Sequence, residues 1–282
     1  MALEKERVCV TGAGGFVGSW VVKLLLSKDY FVHGTVREPR DEKNAHLYKL
    51  EKASENLKLF KADLLDYNSV YSAIVGCSGV FHVASPVPST IVEVIEPAVK
   101  GTLNVLKASV EAKVKRVVFV SSGAAVAFNP SWPKDRVMDE TCWSDKEYCR
   151  TTKNWYSFAK TEAESEALEY GKRPGLNVVS ICPTFIFGPI LQSTLNASSM
   201  ILVKLLKEEG CESVDNRLRM IVDVRDVAEA SVFYMRSLNF TEGGEEIVLT
   251  SAKLQKLGWS YRPLEETLFD SIESYKKAGI LD

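Results

Sequence analysis

The chain has 282 residues, 46% of them hydrophobic and 26% charged, with a formal net charge of -2. That balance suits a soluble globular protein long enough for one large α/β domain or one and a half, and without a basic block neither nucleic acid nor an anionic membrane is an expected partner. No run approaches the roughly 18 apolar residues of a membrane span. Six cysteines without a CxxC pair and three histidines (His33, His46, His82) without an HExxH argue against a disulfide framework and against a metal site. The start, Met1 to Val8, has no basic region followed by an apolar stretch, so a cytoplasmic protein with reduced thiols is expected.

Short apolar runs alternate with amphipathic stretches through the first half. Arg7–Thr11, Tyr30–Val36, Leu57–Lys61, Gly79–Ala84 and Val114–Ser121 read as strands. Their Val and Phe content without strict alternation suits a parallel sheet buried on both faces. Helical spacing marks Phe16–Ser27, Glu42–Ala53, Asn68–Val75 and Val92–Ala112, where Ile95, Val99, Leu103, Leu106 and Val110 fall near one face. Repeated βα units of this length imply right-handed crossovers and a doubly wound parallel sheet of the Rossmann kind.

The second half is less regular. A loop rich in Pro, Trp and charge (Asn129–Glu147) leads into a helix from Thr152 to about Tyr170. A strand, Asn177–Cys182, ends at Pro183, and a helix Ala197–Glu208 follows Gly188-Pro189. A short strand Leu218–Val222 then precedes a helix that Asp223 is placed to cap, and helix Leu264–Lys277 closes the chain. These pieces are too scattered for a core of their own. The expected organisation is a dinucleotide-binding domain with the active-site helix over 1–175, and a smaller, mainly substrate-binding lobe over 176–282 that partly returns to the sheet.

The first strand runs into Gly12-Ala-Gly-Gly15-Phe-Val-Gly18 and then a helix. Glycines there make a tight turn, let backbone approach a pyrophosphate and allow close strand–helix packing, while the helix N-terminus offers N–H donors. A glycine-rich turn that holds nothing would share the spacing, but its place after the first strand favours a dinucleotide. About twenty residues on, where such folds read the adenosine ribose, an NAD enzyme presents an acid. This chain presents Arg37, with Lys43 beyond, and cations at that point suit the 2′-phosphate of NADPH. Glu38 follows at once and leaves some NAD use open. Asp63 and Leu64, after the third strand, stand where the adenine edge is held, although an Asp capping the next helix reads the same way. The expected cofactor contacts are Gly12, Gly15, Phe16, Val17, Gly18, Arg37, Lys43, Asp63, Leu64, Ala84, Lys160 and Pro183.

The fifth strand ends at Ser121-Ser122-Gly123, and 34 residues after Ser122 comes Tyr156-Ser-Phe-Ala-Lys160 on a helix. At i and i+4 the tyrosine and lysine share a face. A nearby ammonium is expected to lower the pKa of the phenol, near 10 when free, and so ease proton transfer. Lys160 can also hold ribose hydroxyls, and Ser122 can hydrogen-bond a carbonyl oxygen as charge develops on it. Ser122, Tyr156 and Lys160 are therefore the candidate catalytic residues. A second YxxxK, Tyr48 to Lys52, lacks the preceding serine strand and reads as a solvated helix face.

Val10-Thr-Gly-Ala-Gly-Gly-Phe-Val-Gly18, Phe81-His-Val-Ala-Ser-Pro86, Gly101-Thr-Leu-Asn-Val-Leu106, Asp139-Glu-Thr-Cys-Trp-Ser144 and Lys153-Asn-Trp-Tyr156 resemble the plant cinnamoyl-CoA reductases and their dihydroflavonol-reductase relatives, over nearly the whole chain. The resemblance implies a Rossmann domain, NADPH, and a small aromatic, phenylpropanoid-like carbonyl substrate. It also implies catalytic roles for Ser122, Tyr156 and Lys160 and a 2′-phosphate role for Arg37. A monomer or weak dimer is expected.

Three departures from that family stand out. Ser157 replaces a cysteine that could pair at the Cys149 position. Ile201 stands where the family's reducers of CoA esters carry the histidine of a His-x-x-Lys, here followed by Lys204. Between Arg236 and Glu245 the resemblance breaks, relatives having on the order of forty more residues, about one supersecondary unit. Either the lobe is naturally pared down or a segment is missing from this sequence; natural loss would leave an unpaired strand edge over the pocket, which favours the second. Missing cations favour an uncharged aldehyde or ketone, with Ile186, Phe187, Ile190 and Leu191 lining an apolar slot, whereas the overall resemblance favours a CoA thioester. A nucleotide-sugar epimerase or dehydratase would need an acid where Arg37 stands, and a non-catalytic NADPH sensor would not need all three catalytic groups.

Overall fold

The computed structural model describes residues 5–85, 95–133, 138, 141–207, 220–236 and 251–281. Six strands, β1 (Arg7–Thr11), β2 (Phe31–Val36), β3 (Leu57–Lys61), β4 (Gly79–His82), β5 (Arg116–Val120) and β6 (Asn177–Ile181), form one sheet ordered β3-β2-β1-β4-β5-β6. Every pairing is parallel. The chain winds outward from β1 in one direction and from β4 in the other, so the order reverses between those two strands. A crevice opens there at the carboxyl ends of the strands, where folds of this kind bind ligands.

The helices of the first half are α1 (Phe16–Ser27), α2 (Ala45–Tyr48), α3 (Ala53–Asn56), α4 (Tyr67–Ile74), α5 (Ile95–Glu111), α6 (Lys146–Thr151) and α7 (Trp155–Gly171). After β6 come β7 (Phe185–Phe187), α8 (Ala197–Leu206), β8 (Ile221–Asp223), α9 (Val224–Arg236), α10 (Ala252–Lys256) and α11 (Leu264–Lys277). Strands β7 and β8 pair in parallel as a separate two-stranded sheet.

Alternation along the strands feeds two cores. On one face, Val8 and Val10 pack with Val21, Val22, Leu25 and Leu26 of α1 and with Ala228 and Val232 of α9. On the other, Cys9, Val80, Val117 and Phe119 meet Ile74, Leu106, Ala163 and Ala167 from α4, α5 and α7. Each fully buried aliphatic side chain of this size contributes roughly 1.5–3 kcal/mol of hydrophobic stabilisation. Helix α9 thus belongs to the main sheet although it follows β8. Arg225, two residues past Asp223, donates to Asp223 at 2.9 and 2.7 Å and to Asp270 at 2.6 Å, clipping the start of α9 to α11. A smaller cluster of Phe187, Leu202, Val203 and Tyr275 holds β7, α8 and α11 together, and the Tyr275 hydroxyl donates to Ser199 Oγ at 2.8 Å.

Several elements differ from the sequence expectation. Glu42–Ala53, expected as one helix, is a 3-10 turn followed by α2 and α3, because Lys52 between them sits in the left-handed region at φ 62°. The loop before the active-site helix contains α6, capped by Asp145, whose side chain accepts from Tyr148 N at 2.7 Å. Strand β7 was not expected, since three residues are too few to display a period. Asp223 ends β8 and also caps α9, accepting from Arg225 N at 2.8 Å. Glu208, Leu218 and the stretch from Ser237 to Glu245 lie outside the described residues. Among the described residues β6 is the sheet's last strand, and Val178–Ile181 are partly exposed where β5 is buried.

Candidate active site

The glycine turn stands at the crevice between β1 and β4. Gly12 has φ 68°, and a β-carbon on it would lie 2.9 Å from the Cα of Ala84. A β-carbon on Gly18 would come within 2.2 Å of the Gly12 carbonyl oxygen. Backbone therefore lies bare at the crevice floor, and α1 starts as close to the turn as its atoms permit. Gly15 begins α1 without a side-chain cap, which leaves the first-turn N–H groups around Phe16, Val17 and Gly18 available to an anion. These features fit a pyrophosphate.

Across the crevice, Thr11 organises the end of β4. Its Oγ1 accepts from Val83 N and Ala84 N, both at 3.1 Å, so its own hydrogen is directed to His82 Nδ1 at 2.9 Å. That assignment leaves the His82 hydrogen on Nε2, which faces Thr102 Oγ1 at 3.2 Å. Burial, helped by the charge of Lys160, lowers the His82 pKa to about 3 and keeps the ring neutral. Pro183 is fixed from the other side, its carbonyl accepting from Gly123 N at 2.7 Å.

At the far end of the crevice, Arg37 lines a cavity of about 360 Å³ with Lys61, Ala62, Asp63, Asp66 and Ser69. Asp66, rather than Asp63, caps α4, accepting from Asn68 N at 3.0 Å. The capping explanation for Asp63 therefore falls away. Lys61 pairs at 3.0 Å with the exposed Glu38, the acid that left NAD use open, and holds its carboxyl below the usual range. Leu64 packs against Gly101 of α5. Lys43 pairs with Asp41 at 2.5 Å and does not line this cavity.

Ser122, just past β5, and Tyr156, in the first turn of α7, come together as the sequence spacing suggested. Ser122 lies near enough to Tyr156 to draw its pKa down, and Ser122 Oγ accepts from Ala124 N at 3.1 Å. Tyr156 keeps 41% of its surface exposed, whereas Lys160, one turn deeper, keeps 6%. Two local devices aim the helix. Lys153 takes a left-handed φ of 56°, turning the chain out of α6, and Asn154 caps α7 by accepting from Ser157 N at 3.3 Å. The expected direction of the tyrosine shift is corrected here. Burial raises the Tyr156 pKa, opposed by the bond with Ser122, and Lys160 is not among the causes. Burial also lowers the Lys160 pKa to about 8, with Glu164 pulling it back up. The phenol is therefore protonated at neutral pH, the form a proton donor must start from.

Glu164 went unnoticed in the sequence. It is 4% exposed, one turn beyond Lys160, and its oxygens accept from Ser121 Oγ at 2.6 Å, Ser180 Oγ at 2.7 Å and Cys182 Sγ at 3.1 Å. The second YxxxK is dispersed, for Tyr48 lies on α2 while Lys52 stands outside it and pairs with Asp29 at 2.9 Å. Of the expected apolar slot, Phe187 and Ile190 belong to the small core instead, while Ile186 and Leu191 stay partly exposed. Ile201 is 53% exposed, on an outer face of α8 with Lys204. Cys149 is a free buried thiol, and Ser157 spends its amide on the Asn154 cap. Among the described residues no cluster of His, Cys, Asp and Glu could hold a metal, and no helix is long and apolar enough to cross a membrane.

A doubly wound parallel sheet with a glycine turn at its switch point, and a serine, tyrosine and lysine gathered at the carboxyl edge, defines an extended short-chain dehydrogenase/reductase. The model of the NAD dependent epimerase/dehydratase family matches residues 8–249, and the chain belongs to that family. It is 42% identical to cinnamoyl-CoA reductase 1 of Petunia hybrida over 317 residues, which cover 99% of this chain and 95% of that one. Since the chain has 282 residues, at least 35 of those aligned positions have no counterpart in it. The fold is similar to vestitone reductase from alfalfa, with a TM-score of 0.81 and 33% identity over 98% of this chain and 100% of that one. It is also similar to Gre2 of Candida albicans in complex with NADPH, with a TM-score of 0.81 and 27% identity over 97% of this chain and 99% of that one. The chain is a reductase of this family.

Proposed function

We propose that the chain reduces the carbonyl group of an aromatic, phenylpropanoid-type compound with NADPH. The observation that carries this reading is the gathering of Ser122 and Tyr156 one turn from a buried Lys160, at the mouth of a crevice whose far end presents Arg37. The glycine turn and the first turn of α1 would hold the pyrophosphate, and Arg37 would hold the 2′-phosphate bidentately with Asp63 and Leu64 at the adenine edge. Lys61 keeps Glu38 from repelling that phosphate. Ala84 and Pro183 would flank the nicotinamide half, with Lys160 at its ribose.

Bound NADPH supplies the hydride. Ser122 hydrogen-bonds the carbonyl oxygen as negative charge gathers there, and Tyr156 passes its proton to the same oxygen. Lys160 stands behind Tyr156 as the nearby positive charge. Residues 1–175 carry the dinucleotide in this reading and 176–282 mainly the substrate, in a cytoplasmic enzyme. The curated relative that aligns over nearly the whole chain is named as a reductase of a cinnamoyl-CoA ester, which supports the substrate class. Following NADPH consumption spectrophotometrically with a panel of cinnamaldehydes tests the proposal. Turnover of several of them is expected, and absence of turnover with aldehydes and CoA esters alike would overturn it.

A further inference from the structure

Lysine and glutamate are rarely buried singly, because each leaves water at a cost of several kcal/mol unless a partner compensates. Here Lys160 and Glu164 are buried together, one helical turn apart on the same face of α7. The glutamate's direct partners are all neutral donors drawn from the ends of two strands: Ser121 after β5, Ser180 of β6 and Cys182 after β6. Burial raises the Cys182 pKa well above its ordinary value, the nearby Glu164 adding to this, so the thiol donates instead of adding charge. A carboxylate accepts and does not donate, and these three donors, each with one hydrogen, reach both of its oxygens. The cation one turn away lies on the same face of α7 as this carboxylate.

The other groups facing Lys160 supply no negative charge. From β4 comes His82, neutral and tied to Thr11 and Thr102. Tyr156, one turn before Lys160 on α7, holds its proton, and Cys182, whose thiol lies near both Lys160 and Glu164, holds its own. Glu164 is thus the buried counter-charge among the described residues.

We propose that Glu164 is a positioning residue, whose carboxylate, clamped by Ser121, Ser180 and Cys182, keeps the Lys160 ammonium charged and seated behind Tyr156. The proposal rests on the reductase reading for its catalytic consequence but not for its physical content. Burial lowers the lysine to about 8 even with Glu164 opposing it, so without the carboxylate its charge would be lost nearer neutrality.

The test has two arms. The first is a stability cycle on the full chain: wild type, Glu164→Gln, Lys160→Met and the double variant, melted between pH 6.5 and 10. Glu164→Gln should lower Tm by at least about 3 °C more when Lys160 is present than in the Lys160→Met background. That excess should fade as the pH rises through about 8, where the lysine discharges. If Glu164→Gln does not fold, Lys160→Met should rescue it by removing the lone buried cation. Equal losses in both backgrounds, or no rescue, would overturn the proposal. The second arm follows kcat against pH for NADPH-dependent reduction. The alkaline fall should move down by about one pH unit in Glu164→Gln and return most of the way in Glu164→Asp. A lowered but unshifted profile would also overturn it. A chain that reduces no carbonyl would defeat the reductase reading while leaving the stability cycle to decide the charge pair.

Discussion

Tyr156, in the first turn of α7, stands beside Ser122 just past β5, close enough for Ser122 to draw the phenol pKa down while burial raises it. In the proposed reaction both hydroxyls serve one carbonyl oxygen, and the phenol is protonated when that oxygen arrives. Replacing Tyr156 by Phe removes the proton donor and little else, since the ring packs as before. Turnover should fall by at least about 10²-fold, the usual worth of a positioned general acid. Cofactor affinity, measured by fluorescence titration, should barely change. Near-normal kcat in that variant would remove Tyr156 from the chemistry.

Arg37 lines the cavity at the far end of the crevice, where Lys61 pairs with Glu38. A charge-assisted hydrogen bond to phosphate is worth about 1.5–3 kcal/mol, or roughly ten- to a hundredfold in affinity. The native chain should therefore prefer NADPH to NADH by that order, and Arg37→Ala should erase most of the ratio while sparing NADH. Comparing kcat/KM for the two cofactors in both proteins checks this. Equal values in the native chain would refute the assignment.

How far the sequence could be read depended on whether a signal was local. The glycine turn, the strand ending in Ser121-Ser122 and the spacing of Tyr156 and Lys160 are fixed offsets within single βα units, and the structure assembles them as expected. Glu164 gives no such signal. In the run from Glu162 to Glu169 it reads like any solvated helix acid, and only the pairing of β5 with β6 brings Ser121, Ser180 and Cys182 to it. The partner of Glu38, Lys61, was equally invisible, because the β2–β3 register brings it alongside Val36 and so within reach of that acid. The wrong direction for Tyr156 came from counting a neighbouring charge without knowing how much water burial would remove. Phe187 and Ile190 looked like a slot because apolar residues after a strand do not reveal which helix will cover them.

His82 makes the protein sensitive to acid. Its pKa is ordinarily near 6.5 and is lowered to about 3 in the fold, mainly by burial. The folded chain refuses a proton that the unfolded chain accepts, so this contribution is complete above pH 6.5 and is lost progressively as the pH falls towards 3. At pH 5 the loss should be about 2 kcal/mol, from 1.36 kcal/mol per pH unit. His33 and His46 are lowered too, each first by burial, so the difference between proteins is the informative quantity. His82→Gln keeps an acceptor and a donor but does not titrate. Between pH 7 and 5 it should lose about 2 kcal/mol less than the native chain in urea unfolding, and parallel curves would show that His82 is not the group responsible.

The last prediction concerns the form of the substrate. A CoA ester carries a long tail bearing phosphates, and binding it well requires fixed cations along its path. On α8 the outer face offers Lys204, while Ile201, one turn before it, is exposed and apolar. Relatives such as the Petunia reductase carry at least 35 further positions, a length that could add contacts this chain lacks. A free aldehyde makes no such demand, needing only the Ser122–Tyr156 pair and an apolar approach, to which the partly exposed Ile186 and Leu191 contribute. The value of kcat/KM for coniferaldehyde should therefore exceed that for feruloyl-CoA. Introducing His at position 201 should narrow the difference by improving KM for the thioester, with kcat for the aldehyde unchanged. Steady-state assays of both substrates with both proteins decide the matter. A clear advantage for feruloyl-CoA in the native chain would mean that other groups hold the CoA tail and that Ile201 has been given too much weight.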